Sequence, residues 1–158
     1  MFQDVRYQLF AESAAAEVTF GLSRRQASAV DTDAVLRELA LDDVAGRHPA
    51  TPSGDQKQRL AVATCVAAGK RVLVFDEPTS GIDLDGMRRV ARLLRRLAAQ
   101  GRAVLVITHD LELIACACDR ALHMDGGRVV GRAGVRQDFD AVRAMTTSAP
   151  APGREGEK

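Results

Sequence analysis

Tryptophan is absent from the chain and Tyr7 is its only tyrosine; aromatics make up 4% of the 158 residues. That is too few for the stacking platforms that bind single-stranded nucleic acid. An excess of one charge is also missing. Lys and Arg number 22 against 21 Asp and Glu, a net charge of +1, so no overall field draws the chain to nucleic acid or to an anionic membrane. No apolar run reaches the ~20 residues of a membrane span. The strongly apolar stretches, VLVF at 72–75 and AVLVI at 103–107, have the length of buried strands. The first residues carry no basic-then-apolar leader. Cys65, Cys116 and Cys118 form no CxxC pair, and an odd count without a secretion signal fits a reducing cytoplasm. A GxxxxGKS/T phosphate loop is absent too. The single Gly-Lys pair, Gly69-Lys70, has Thr64 where the first glycine should be and Arg71 in place of the hydroxyl residue. It also follows a helical stretch and precedes a strand, the reverse of a phosphate loop.

The rest is an ordinary globular balance, 46% hydrophobic and 27% charged, in a length that suits one domain. Residues 1–22 lead through an Ala-rich stretch expected to be helical. A helix is expected over 31–46, with Asp31 or Asp33 near its start and Gly46 near its end, and a second from Ser53 to Gly69. RVLVF (71–75) and RAVLVITHD (102–110) read as continuous apolar strands. Between them, 85–101 places Val90, Leu93, Leu94 and Leu97 on one face and five arginines elsewhere. A short helix (111–119) and a hairpin around Asp125-Gly126 follow, and the composition after about residue 145 turns to that of a disordered tail. Helix, strand, helix, strand, helix is the grammar of an α/β fold with a parallel sheet covered on both faces. Ligands gather at the carboxyl ends of such strands, where Asp76-Glu77 and Thr108-His109-Asp110 stand.

Neighbours on a strand point to opposite faces, so Asp76 and Glu77 have separate tasks: one binds a magnesium ion, the other faces an attacking water. Asp-Glu-Pro also suits a plain strand-ending turn. PSGDQKQRL (52–60) contains Ser53 followed by Gln56, a capping box that needs no ligand. Its glycine beside a helix N-terminus also makes an anion site. His109 has the donor to reach a terminal phosphate.

In their order, QDVRYQLF, SGDQKQRLAVA, VLVFDEPTSGID and VLVITHD resemble the Q-loop, signature, Walker B with D-loop, and switch-histidine segments of the ATP-binding cassette (ABC) ATPases. The resemblance spans roughly residues 1–132, and the opening FQDVRYQLFAES further resembles the energy-coupling-factor importers of cobalt and vitamins. It implies a partial P-loop NTPase (RecA-like) core at 1–145, with a helical signature subdomain, a C-terminal hairpin and a 146–158 tail. It also implies ATP and Mg2+ as ligands, a transmembrane transporter subunit and a second ATPase subunit as partners, and a place on the cytoplasmic face of the membrane. Asp76 would hold magnesium, Glu77 would be the catalytic base, and Gln3 would serve the magnesium ion and the water. His109 would sense the γ-phosphate. Ser53, Gly54 and Gln56 would contact ATP held by the opposite subunit, and Asp83 would lie at the dimer contact.

The resemblance begins at the Q-loop, so the phosphate loop is expected either upstream of Met1 or lost, and the chain's own hydrolysis to be impaired. The alternative is a non-catalytic regulatory partner of an intact cassette. The signature departs from LSGGQ at Pro52 and Asp55. Asp55 is expected to face the partner's γ-phosphate, where each like charge at ~5 Å and an effective dielectric of ~20 costs about 3 kcal/mol.

Overall fold

The computed structural model describes residues 10–147. The chain divides into two units between Thr108 and His109, and each is built around a two-stranded sheet.

In the first unit, helices α1 (Ala14–Val18), α2 (Arg24–Ala27) and α3 (Thr32–Glu38) precede a 3-10 turn (Asp42–Val44). They are followed by α4 (Gly54–Ala67), β1 (Val72–Asp76), α5 (Leu84–Ala99) and β2 (Ala103–Ile107). The expected helix over 31–46 stops much earlier. Asp31 caps α3, its carboxylate accepting from Ala34 N, but the helix ends in a left-handed residue, Ala40, at φ 50°. Leu41 N donates to Leu36 O and Ala40 N to Arg37 O, the paired bonds of a Schellman stop. Leu36 and Leu41, both buried, supply the apolar contact that accompanies it.

α5 follows the sequence pattern closely. Asp83 caps it by accepting from Gly86 N at 2.7 Å, and Val90, Leu93, Leu94 and Leu97 are buried. α4 is buried over most of its circumference from Gln58 to Ala67, as expected of a helix inside a small core.

β1 and β2 pair in parallel, Val72 with Ala103 through Asp76 with Ile107. The expected cover on both faces is not found. Leu73 and Phe75 are buried, whereas Val72, Val74, Leu105 and Ile107 are 64%, 41%, 51% and 52% exposed. These four lie on one face by strand alternation, and no β2 residue is fully buried. A continuous apolar run encodes two dry faces; the described residues of this unit cover one.

The second unit contains α6 (Leu111–Ala117), the antiparallel pair β3 (Arg120–Asp125) and β4 (Arg128–Gly134), and α7 (Phe139–Thr147). The hairpin turns on Gly126 and Gly127, both with positive φ, as a two-residue primed turn requires; β4 also runs two residues past the expected 132. Ile114, Val135 and Val142 form its core, with Leu111, Cys118, Ala121, Ala133 and Phe139 against them. α7 was not expected, and it extends two residues into the stretch read as tail. Among the described residues no helix is long and apolar enough to cross a membrane. Cys65, Cys116 and Cys118 form no disulfide; burial raises the Cys65 and Cys118 thiol pKa values above the ordinary range.

Candidate functional site

The site of the first unit lies at the exit of β1. Asp76 is the last strand residue and pairs with Ile107, which places it on the open face with Val74 and Leu105. It is half-buried, and no hydrogen bond or ion pair from another described residue claims its carboxylate.

Glu77 N donates to Ile107 O at 2.8 Å, and there the chain turns. Glu77 takes φ 44°, a left-handed state that costs a side-chain-bearing residue about 1–2 kcal/mol. The next residue is Pro78, whose ring pushes its predecessor toward extended backbone. Two sequence rules therefore argue against this conformation, and contacts from distant residues impose it. Gln58 Nε2, from α4, donates to Glu77 O at 2.9 Å. Ser80 N donates to the same oxygen at 3.2 Å. Thr108 Oγ1 donates to Glu77 Oε2 at 3.0 Å. At about 1 kcal/mol net for each hydrogen bond, these offset the strain and aim the carboxylate.

The head of α4 is different in kind. Ser53 Oγ accepts from Gln56 N at 3.2 Å while Gln56 Oε1 accepts from Ser53 N at 3.0 Å. Both members of the capping box are present, and Ser53 and Gly54 are exposed. Asp55 is paired within its own helix. Its carboxylate bends back along the helix to Arg59 Nη2 at 2.6 Å and lies close to α5, where a Cβ on Gly86 would come within 3.1 Å of Asp55 Oδ1. An i,i+4 partner offsets part of that charge. Arg59 is 8% exposed; its Nη1 also donates to Leu39 O and, at 2.9 Å, to Ala40 O.

Of the residues singled out in the sequence, Asp76 and Glu77 share the β1 exit, Ser53, Gly54 and Gln56 form the α4 cap, and Asp83 caps α5. His109 opens the second unit, exposed and next to Asp110, the cap of α6. Gln3 lies outside the described residues. Sequence reading gave no role to Gln58, for which it had no signal, and left Thr108 without a task although it stands beside His109.

The residues present fit a magnesium ion in one respect. Mg2+ takes one or two protein carboxylates and completes its shell with water and phosphate, and Asp76 is such a carboxylate at the carboxyl end of a parallel strand. Among the described residues no group of three His, Cys, Asp or Glu offers a self-sufficient metal cage. Among the described residues Gly69-Lys70 forms no phosphate loop: Gly69, at φ 64°, ends α4 ahead of β1 instead of opening a helix.

A sequence model of the family described as "AAA domain, putative AbiEii toxin, Type IV TA system" matches residues 36–115. A putative ABC transporter ATP-binding protein of Treponema denticola is 48% identical over 130 residues, 82% of this chain and 26% of that protein. The cobalt import ATP-binding protein CbiO of Rhodobacter capsulatus is 39% identical over 135 residues, 82% of this chain and 48% of its own length. The methionine import ATP-binding protein MetN of Salmonella enteritidis is 41% identical over 106 residues, 66% and 34%. The chain thus spans between about a quarter and half of the length of these relatives.

Proposed function

The chain belongs to the ABC ATPase family, by its AAA-domain match and its ABC transporter relatives, and from that premise we propose that it is part of an ATPase subunit energising import of a small solute. The observation that carries the proposal is Glu77, a strained acidic residue at the end of a parallel strand, held by Gln58 and Thr108. Such strain persists where the surroundings over-determine it, and it clusters at functional sites.

In this reading Glu77 accepts the proton of the attacking water, with Thr108 holding its carboxylate in line. Asp76 holds magnesium, which when bound neutralises charge on the transferring phosphoryl group. His109 and Gln3 serve the terminal phosphate and the water. Ser53, Gly54 and Gln56 present backbone N–H groups at the head of α4 to a nucleotide held by a second ATPase subunit, and Asp83 stands near that contact. A transmembrane subunit holds the assembly at the inner face of the membrane. The opening FQDVRYQLFAES and the cobalt-import relative favour the energy-coupling-factor type.

The second reading is a non-catalytic partner of an intact cassette. The departure of the signature from LSGGQ at Pro52 and Asp55 favours it. ATP titration and phosphate release, measured on the 158-residue chain alone and then mixed with an intact cassette subunit, test both. We expect no ATP binding by the chain alone, since its 158 residues contain no GxxxxGKS/T sequence. Turnover that appears on mixing and depends on Glu77 supports the first reading; turnover indifferent to Glu77 supports the second. Tight ATP binding by the isolated chain overturns both.

A further inference from the structure

We propose that Gln58 is a positioning residue for Glu77: its side-chain amide, fixed on α4, holds the Glu77 backbone in the left-handed state that aims the carboxylate at Thr108. The catalytic meaning of this contact rests on the ATPase reading, but the contact and its test do not.

Two non-glycine residues among those described take positive φ, Ala40 and Glu77. The carbonyls of both accept from consecutive buried side chains of α4: Arg59 reaches Ala40 O and Gln58 reaches Glu77 O, each at 2.9 Å. Gln58 is 7% exposed. A polar side chain so deep in a helix whose other buried residues, Arg59 apart, are Leu, Ala and Val needs a partner, and this carbonyl is the partner it has. A glutamine amide is a donor without charge, so it holds a carbonyl beside Glu77 without forming an ion pair with the carboxylate. Leucine in its place keeps the volume and loses the donor.

The geometry makes α4 a strut between its own head, where Ser53 and Gly54 are exposed, and Gln58, five residues on from Ser53, whose amide holds the Glu77 carbonyl. A displacement of α4 along its axis is therefore felt at Glu77 first through Gln58. Without that bond, φ at a residue before proline relaxes to the extended region, and the carboxylate swings away from Thr108.

The experiment is NMR on the nucleotide-free 158-residue chain. In the wild type, a coupling across the hydrogen bond from Gln58 Nε2 to the Glu77 carbonyl is expected, with Glu77 Cα and Cβ shifts and the HN–Hα coupling of a positive φ. Absence of both in a folded wild-type chain overturns the proposal without any variant. Gln58→Leu should abolish the positive-φ signature at Glu77 while leaving that of Ala40 in place. Retention at Glu77 overturns the proposal. Gln58→Glu distinguishes positioning from packing. Its carboxylate cannot donate, but burial raises its pKa, so the signature should be absent at about pH 8 and return toward about pH 5 as the new carboxyl protonates and donates again. A signature independent of pH overturns the proposal. Since no nucleotide is present, a failed ATPase reading leaves these outcomes readable, and a failed outcome here leaves the ATPase assay untouched.

Discussion

Ala40 and Glu77 share a backbone state and differ in everything that makes it tolerable. Ala40 ends a helix, in the Schellman position where glycine is the usual occupant. Its own side chain contributes one methyl group. Glu77 stands at a strand exit before a proline, and its side chain is the carboxylate we propose as the base. The first is strain that a glycine would remove. The second is strain that a glycine would remove together with the carboxylate. α4 supports both through neighbouring residues, so one helix stabilises a helix stop and the turn that carries the proposed base.

The largest expected effect separates chemistry from stability. In an assembly with an intact cassette subunit, Glu77→Gln keeps the shape and removes the base, so turnover at this site should fall by about 10²–10⁴-fold. Phosphate release checks this, and the urea midpoint should stay near that of the parent. An unchanged rate with an unchanged midpoint breaks the comparison at its functional end.

Arg59→Leu should act in the opposite sense, on stability. It takes the donor from Leu39 O and Ala40 O and the counter-charge from Asp55. Removing one member of a largely buried pair costs about 3 kcal/mol, readable as a lowered urea midpoint at constant m-value. A change below about 1 kcal/mol would show that the α3 turn stands without α4.

Ala40→Gly should stabilise the chain by about 1 kcal/mol, because relief of the left-handed strain exceeds the added entropy of the unfolded state. Smallest of all, Glu77→Gly should stabilise by less than Ala40→Gly in the same denaturation assay, since it also forfeits the Thr108 bond at 3.0 Å. The reverse order would mean that Glu77 carries more strain than the contacts around it suggest.

The same contrast explains what could be read from the letters. The Ser53–Gln56 cap, the Asp83 cap and the buried stripe of α5 depend on partners within one or two helical turns, and a periodicity count finds them. The parallel pairing of β1 with β2 follows from the strand–helix–strand grammar. Ala40 escaped notice because alanine carries no left-handed signal; only tertiary support from Arg59 makes it a helix stop. Gln58 escaped for a similar reason. Its partner is 19 residues away, and a glutamine in a polar helix start looks like surface. Asp55 pairs with Arg59, four residues on, a spacing that is legible in the letters. α7 was missed where small residues dilute the apolar pattern that Val142 anchors.

The β1–β2 ribbon keeps one oily side wet, with Val72, Val74, Leu105 and Ile107 between two strand edges. Produced by itself, such a ribbon sticks to its own kind and to chaperones before it meets any physiological companion. The yield of dispersed material should therefore follow how quickly that side is sheltered after synthesis more closely than it follows the packing already achieved around Phe75.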